Sequence, residues 1–444
     1  MGFSPKCRGE FGLKPKLLFI KGVEDTSALR DGARIKMPLA PKRLTFLLAA
    51  ALLCAPPARA LIIYGTGPTD VNNALNTTAP ASGAPWANVF QFGTNNASGI
   101  YLGNGYILTA NHVLPVPTGF FINGFSYDRD TTFAPLQIID GADVVDMKLV
   151  RILPNSTTLT LPPLSTLPIN FSTADLNVNC TIIGWGVGKG TIVTNQGWNW
   201  GDDSTRAQRW GTNKTLSSAV SAVYSGYSYE ALATNFNRSL GSNTSEITLG
   251  DSGAGLFQQI GGVWKLSGLT TTVLQYQSNA AIYDGVAPFY ATTPMSPPQQ
   301  ADSPDGANFV RLEKYAHLLR YENWANLKFG SSTAALTADA DKDGSNNLLE
   351  YAFHTEPGTP SVSALPQVGM ESGYVMLTYT QLLSATDLSY VVEESPSLSP
   401  AAWVTADVIE ETVSTSGMTR VVKAKVAIGT ATQKYLRLSV TKLP

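Results

Sequence analysis

Short runs rich in β-branched and aromatic residues, separated by Gly, Asn, Ser and Pro, fill the chain from Leu61 to about Phe289. Examples are G-Y-I-L-T-A, V-D-M-K-L-V-R-I, C-T-I-I-G-W-G and W-K-L-S-G-L-T-T-T-V. Runs of this length are typical of strands, and frequent turn residues favour antiparallel pairing between them. The pattern predicts a mainly β fold, an antiparallel barrel or sandwich, and not a coiled coil or a disordered chain.

A targeting segment is expected before this region. Lys42 and Arg43 precede the apolar run L-T-F-L-L-A-A-A-L-L-C-A, which is too short for a stable membrane span. The sequence A-R-A then ends at Ala60, as a signal-peptidase site does. We interpret residues 1–60 as an upstream extension and signal peptide, with Met37 as the physiological start, and expect a secreted protein, extracellular or periplasmic.

Removal of residues 1–60 would leave 20 Lys and Arg against 29 Asp and Glu, a net charge of about −9. An acidic chain offers no basic patch to neutralise phosphates, so nucleic acid is not expected as a partner. Cys180 would be the one cysteine left of three, which excludes an intrachain disulfide. The fold is therefore expected to depend on core burial, supported by a metal ion.

Changes in composition divide the remaining chain into three parts. Residues 61–328 contain the short runs and end on a stretch with helical spacing, F-V-R-L-E-K-Y-A-H-L-L. Residues 329–358 are predicted to be a linker that contains an acidic loop, residues 339–350. Residues 359–444 hold further strand-like runs, such as G-Y-V-M-L-T-Y-T and K-Y-L-R-L-S-V, and are predicted to form a small β-sandwich.

Histidine is rare in this chain, and His112 is the one histidine among the short runs of residues 61–289. Ser252 lies between glycines in T-L-G-D-S-G-A-G-L-F. A serine hydroxyl needs a base such as imidazole to become a nucleophile. The imidazole in turn needs a carboxylate that fixes its tautomer. The segment G-A-D-V-V-D-M-K-L-V-R-I supplies two candidates for that carboxylate, Asp143 and Asp146.

Five motifs in this order resemble those of the trypsin/chymotrypsin-like serine peptidases. T-A-N-H-V corresponds to T-A-A-H-C of that family, D-M-K-L-V-R-I to D-I-x-L-L-x-L, and G-D-S-G-A-G to G-D-S-G-G-P. C-T-I-I-G-W-G and K-L-S-G-L-T-T-T-V match two further strands of the family. The resemblance covers residues 61–328, implies a two-barrel peptidase domain, and favours Asp146 over Asp143 because only Asp146 fits the aspartate motif.

The resemblance also implies roles for the matched residues. Ser252 would attack the scissile carbonyl, His112 would act as general base and then acid, and Asp146 would orient His112. The backbone N–H groups of Gly250 and Ser252 would form the oxyanion hole. Asp251 would form a structural ion pair with a new amino terminus.

Signal cleavage after Ala60 would expose Leu61 as that amino terminus. The hypothesis is that signal peptidase itself releases the active form.

The substrate pocket is less well defined by the sequence. Comparison with the family places Glu246 at the pocket floor, and Val273 and Ala307 on its walls, beside the strand that carries Thr271 and Thr272. A carboxylate at the floor favours basic side chains of the substrate, whereas bulky residues on the walls favour small aliphatic side chains of the substrate. We expect a preference for small or medium apolar residues.

The segment D-A-D-K-D-G-S-N-N-L-L-E, residues 339–350, fits the calcium-loop pattern D-x-D-x-D-G-x5-E. Ca²⁺ takes six to eight oxygen ligands. The candidate ligands are Asp339, Asp341, Asp343, the backbone carbonyl of Ser345, and Glu350. Asn346 replaces the aliphatic residue through which paired EF-hands join, so we expect a solitary structural loop of the dockerin or thrombospondin type 3 kind. The alternative is a solvated acidic turn.

The sequence therefore predicts a secreted serine endopeptidase that acts on proteins or peptides and carries a structural Ca²⁺. The alternative is an exported, non-catalytic binding or adhesion protein on a peptidase scaffold. In that case the C-terminal domain would bind a surface or carbohydrate ligand.

Overall fold

The computed structural model describes residues 21–23, 61–398 and 402–444, with the exception of residues 68, 94–96, 194–196, 275–305 and 432. The predicted signal peptide, with Met37, lies outside the described residues. Two compact units make up the chain. One is Asp25–Lys314, and the other joins Tyr315–Pro444 with Met1–Glu24.

The strands follow one another at short intervals, as the turn residues predict. The first strands are β1 (Lys21–Val23), β2 (Ile62–Ile63), β3 (Val89–Gln91), β4 (Ser98–Gly103), β5 (Tyr106–Thr109), β6 (Gly119–Ile122), β7 (Phe125–Arg129), β8 (Leu136–Asp140) and β9 (Asp143–Leu153). The next are β10 (Asn179–Gly184), β11 (Lys189–Val193), β12 (Gly197–Trp200), β13 (Arg209–Lys214), β14 (Val220–Tyr224), β15 (Tyr227–Asn235), β16 (Ser245–Glu246), β17 (Gly255–Ile260), β18 (Val263–Leu274) and β19 (Gly306–Arg311).

The helices and the remaining strands complete the chain. The helices are α1 (Leu312–Tyr315), α2 (Tyr321–Phe329) and α3 (Asn347–Phe353), and the last strands are β20 (Gln367–Glu371), β21 (Tyr374–Leu382), β22 (Leu388–Ser395), β23 (Ile409–Ser416), β24 (Thr419–Ala427) and β25 (Tyr435–Lys442). Short 3-10 turns lie at Trp86–Asn88, Asp203–Thr205, Arg238–Leu240, Ala316–Leu318 and Val362–Ala364.

The first antiparallel sheet has the strand order β3-β4-β5-β9-β7-β6, with β8 paired to β9. Its two ends approach each other, because the ring of Phe120 on β6 packs against Phe90 on β3 and Phe92 just after it, at centroid distances of 6.3 and 5.3 Å. All three rings are buried. Aromatic packing across the gap therefore curls this sheet into a nearly closed barrel.

The second sheet has the order β13-β10-β17-β18-β19-β15-β14. An antiparallel bridge from Thr215, just after β13, to Thr234 on β15 draws its two sides together. Ile182, Leu256 and Phe309 are fully buried in its core. The structure thus confirms the predicted mainly β, two-barrel architecture.

The unit that contains the C terminus is a β-sandwich with helices. Its two sheets have the orders β20-β21-β24-β23 and β1-β25-β22. Along β24, Val422, Ala424 and Val426 are buried while the residues between them are only half-buried, as one solvated sheet face requires. A sandwich was predicted for residues 359–444, and the two sheets agree with it.

The division between the units lies earlier than the predicted boundary at 328. On α2, Tyr321 and Trp324 pack against Tyr351 of α3, with ring centroids 5.8 and 5.6 Å apart. The carboxylate of Asp387 accepts the Tyr321 N–H at 2.8 Å and the Tyr351 hydroxyl at 3.2 Å. Because these contacts join α2 to α3 and to the residues before β22, α2 and much of the predicted linker belong with the sandwich. No helix in the described ranges is long and apolar enough to cross a membrane.

Candidate active site

Three polar side chains meet where loops of the two barrels face each other. His112 follows β5, Asp146 lies within β9, and Ser252 lies in the turn before β17. The His112 Nδ1 is 2.6 Å from an Asp146 carboxylate oxygen, and the His112 Nε2 is 2.9 Å from the Ser252 Oγ. The structure thus brings together all three residues of the predicted triad, in the order carboxylate, imidazole, hydroxyl.

Asp146 holds His112 through two bonds. One carboxylate oxygen accepts the backbone N–H of His112 at 2.9 Å, and the other faces Nδ1. The Asp146 side chain is fully buried. An ionised carboxylate only accepts hydrogen bonds, so Nδ1 carries the proton and Nε2 is left as an acceptor toward Ser252. This tautomer is the one that can take a proton from the serine hydroxyl.

Lys148 supports the same loop and was not identified from the sequence. Its ammonium donates to the backbone carbonyls of Asn111, at 3.1 Å, and of Val113. These residues flank His112, and Lys148 is only 2 % exposed. Burial lowers the pKa of Lys148 to about 8, although the charge of Asp146 opposes that shift. The sequence could have indicated Lys148, because it lies two residues after Asp146 and alternate residues of a strand share one face.

The turn before Ser252 leaves two N–H groups available. Neither Gly250 nor Ser252 donates its backbone N–H to any described residue. Gly250 has a φ of +90°, a conformation that a Cβ would penalise. No described residue therefore occupies the two predicted oxyanion-hole donors.

Gly253 makes the contact between the two barrels possible. A Cβ at this position would lie 2.2 Å from the Ser98 carbonyl oxygen and 2.4 Å from the Thr109 Oγ1. The Ser98 N–H also donates to the Ser252 carbonyl at 2.8 Å. Backbone of the first barrel thus lies directly against the serine turn of the second.

Asp251 is buried below the serine, but its described partners are not those predicted. Its carboxylate accepts the N–H groups of Gly186 at 2.7 Å and Thr248 at 2.8 Å. Burial raises the pKa of Asp251 to about 6, against the effect of these bonds. No described bond joins Asp251 to Leu61, whose carbonyl accepts from Arg209. In the intact chain Leu61 has no free amino group, so the ion pair remains a prediction for the cleaved form.

A cavity of about 220 Å³ opens beside the triad. Its lining residues are His112, Trp200, Tyr224, Ile247, Thr248, Leu249, Gly250, Ser252, Thr270, Thr271, Thr272 and Val273. Three of the five predicted substrate-binding residues, Thr271, Thr272 and Val273, are among them. Apart from the titratable His112 and Tyr224, no described lining residue has an ionisable side chain.

The other two predicted pocket residues do not line this cavity. Glu246 is fully buried on β16, where it pairs with Ile62, and its carboxylate accepts the Ile247 N–H at 2.9 Å. The next residue, Ile247, is among the residues that line the cavity. Ala307 is fully buried in the core of the second barrel. Neither Glu246 nor Ala307 is thus among the described lining residues of this cavity, and their placement in the substrate pocket stays a prediction.

Three aromatic residues at or beside the site were also missed. The ring of Tyr224, which is 44 % exposed, packs edge-on against His112 at a centroid distance of 5.7 Å. The amide of Asn111 donates to the Tyr227 hydroxyl at 3.2 Å, which ties the β14–β15 hairpin to the histidine loop. Trp200 comes from the β11–β12 hairpin. Sequence spacing alone carries no signal for these contacts, because they depend on how two hairpins fold over the cleft.

No family model and no curated protein matches this chain. Among solved structures it is similar to the murine norovirus NS6 protease, with 14 % identity and a TM-score of 0.30 over 53 % of this chain and 93 % of that one. It is also similar to mouse neuropsin, a serine protease, with 15 % identity and a TM-score of 0.33 over 54 % of this chain and 94 % of that one. Kallikrein-related peptidase 10 is similar with 14 % identity and a TM-score of 0.32, over 56 % of this chain and 98 % of that one. At scores this low, the geometry of the site alone supports a function.

The buried ammonium of Lys148 leads to a test by pH. Its pKa is near 8 in the folded chain and about 10.4 when exposed, so the unfolded chain binds more protons between these values. Stability rises with pH wherever the unfolded state binds more protons. We therefore expect the free energy of unfolding of the wild type, minus that of Lys148→Met, to increase from pH 7 to pH 10, as measured by urea titration.

The half-buried Lys214 on β13 provides the control, since its ammonium forms no hydrogen bond or ion pair with a described residue. The difference between wild type and Lys214→Met should stay constant over the same range. A constant or falling difference for Lys148→Met would show that its ammonium is not held in a desolvated site.

Proposed function

We propose that this protein is a secreted serine endopeptidase that hydrolyses peptide bonds through an acyl-enzyme intermediate. The observation that carries the proposal is the chain of two short contacts, Asp146 to His112 and His112 to Ser252, at 2.6 and 2.9 Å. Such contacts are within reach for proton transfer. Secretion is proposed from the basic and apolar residues before Ala60.

The chemistry follows from which atoms carry protons. The Ser252 hydroxyl transfers its proton to the His112 Nε2 as its Oγ attacks the scissile carbonyl carbon. The buried Asp146 carboxylate stabilises the resulting imidazolium through Nδ1. His112 then donates the proton to the leaving amine, which departs and leaves an acyl group on Ser252. A water molecule, deprotonated by His112, releases the acid product in the second half of the reaction.

The unengaged N–H groups of Gly250 and Ser252 support the same mechanism. They can bind the carbonyl oxygen of the substrate as it becomes negatively charged. Removal of one such donor typically costs roughly 3 kcal/mol of transition-state stabilisation.

The cavity beside Ser252 supports a preference for apolar side chains before the scissile bond. Its described lining includes Ile247, Leu249, Val273 and Trp200. The described lining contains no carboxylate that would pair with a lysine or arginine of the substrate. We therefore propose small or medium apolar residues as the preferred side chains.

Replacement of the nucleophile gives the most direct test. Ser252→Ala should lower kcat by a factor of about 10⁴ to 10⁶ on casein or a peptide substrate, and should abolish covalent labelling by an organophosphonate. The exposed Ser126 on β7 serves as the matched control, and Ser126→Ala should keep both activity and labelling. Labelling of the Ser252→Ala chain, or full activity in it, would contradict the proposal and favour the non-catalytic binding protein.

The two candidate carboxylates can be separated by a pair of variants. Asp146→Asn presents an amide in place of the acceptor, favours the wrong imidazole tautomer, and should lower kcat about 10⁴-fold with little change in KM. Asp143 lies at the start of β9 opposite Asp140, and Asp143→Asn should keep kcat within about twofold. Equal losses in both variants would contradict the assignment of Asp146.

Substrate preference can be measured with a peptide library that varies the residue before the scissile bond. The wild type should favour small and medium apolar residues over lysine and arginine. Val273→Ala removes two methyl groups from the cavity lining, and should raise kcat/KM for a phenylalanine substrate relative to an alanine substrate about tenfold. The control is Val263→Ala, at an exposed position of the same strand, which should leave this ratio of kcat/KM values unaltered. A basic preference in the wild type would exclude the proposed pocket.

A further inference from the structure

The loop before α3 gathers three carboxylates at one point. Asp339, Asp341 and Asp343 each present an oxygen, and these oxygens lie within 4.8 Å of one another. Gly344 follows with a φ of +96°, which allows the chain to turn sharply. Like charges this close repel each other, so the arrangement is costly unless a cation lies among them.

Glu350 supplies an independent observation. It lies in the first turn of α3 and is completely buried. Neither of its carboxylate oxygens has a hydrogen-bond partner among the described residues, and the same is true of the Asp341 Oδ2. The Asn347 N–H, three residues before Glu350, donates to the Ala338 carbonyl beside Asp339 at 2.8 Å, which brings the first turn of α3 next to the three carboxylates. A buried carboxylate without a partner is strongly unfavourable, and no described residue supplies a hydrogen bond to it.

We propose that these four carboxylates bind one Ca²⁺ ion, together with the backbone carbonyl of Ser345, and that the ion stabilises the C-terminal unit. The donor set consists of oxygen atoms only. Hard oxygen donors favour Ca²⁺ or Mg²⁺ over zinc and copper, and four carboxylates exceed the one or two with which Mg²⁺ is usually held. This site is separate from the triad and does not depend on peptidase activity.

The loop is built into the fold of this unit. The Asn347 N–H donates to the Ala338 carbonyl at 2.8 Å, and the Leu348 N–H donates to that of Leu336 at 3.1 Å. The Asn346 side chain accepts the Leu349 N–H at 3.0 Å and thereby caps α3. Asn346, which departs from the paired EF-hand pattern, thus has a local role as the N-cap of α3.

Every residue of α3 is buried, and the helix packs on α2 and β21. On the other side of the loop, Asp343 accepts the Ser361 N–H at 2.5 Å. A cation among these carboxylates would therefore fix α3 and the segment that leads into the sandwich. Its binding free energy would be added to the stability of the folded unit.

The experiment uses the full chain in a Ser252→Ala background, which prevents self-cleavage. Calcium binding is measured by isothermal titration calorimetry after chelation, and Tm is measured with Ca²⁺, with Mg²⁺ and with chelator. We expect one Ca²⁺ per chain and a rise in Tm of several degrees that Mg²⁺ at the same concentration does not reproduce.

Glu350→Gln removes a ligand charge while keeping the shape of the side chain. It should weaken Ca²⁺ binding at least tenfold and remove most of the Tm rise, yet unfold no earlier than the parent in chelator, because a buried charge is lost. The exposed Glu356 is a nearby acid that pairs with Lys328, and Glu356→Gln should keep the full calcium response. The absence of a calcium response in the parent, an equal response to Mg²⁺, or an unchanged response in Glu350→Gln would each overturn the proposal.

Discussion

The carboxylate of Asp146 binds His112 at two places, the backbone N–H and the ring Nδ1. A side chain held at one atom alone can still rotate, whereas these two bonds fix both the main chain and the ring. The strand that carries Asp146 lies in the buried part of the first sheet, so the carboxylate has no freedom of its own. The direction of Nε2 toward Ser252 follows from this constraint, and so does the tautomer that the proposed mechanism requires.

The charges around this contact lie in an apolar setting. Lys148 places an ammonium two residues along the same strand, where it bonds the carbonyls on either side of His112. A buried positive charge near a buried carboxylate offsets part of the desolvation that each suffers. Asp251 accepts two backbone N–H groups and the Thr248 hydroxyl and lies within the influence of the Arg209 charge, and together these only partly counter the effect of burial on its pKa.

The fold class, and the three residues that meet at the candidate site, could be predicted because their signals are local. The β-branched runs predicted the strands, and His112, Asp146 and Ser252 each lie in a short motif of fixed spacing. The position of Glu246 relative to the cavity could not be obtained by counting along the chain, because the direction of its side chain depends on which strand β16 pairs with. Tyr224 and Lys148 were missed because their contacts join segments that are far apart in sequence. The boundary near α2 was placed too late for the same reason, since its partner helix lies beyond the acidic loop.

The contact at Gly253 determines which substitutions the sequence around such a site can accumulate in evolution. His112 belongs to one barrel and Ser252 to the other, and the Ser98 N–H to Ser252 carbonyl bond joins the two through main-chain atoms. Main-chain atoms are the same whatever side chains surround them. Substitutions that repack either barrel can therefore accumulate while the spacing between base and nucleophile is preserved. Gly253 is an exception, because a Cβ there would lie 2.2 Å from the Ser98 carbonyl oxygen and the surrounding backbone would have to shift. Drift in sequence is thus compatible with a constant reaction centre as long as positions such as Gly253 and Gly250 stay without a Cβ.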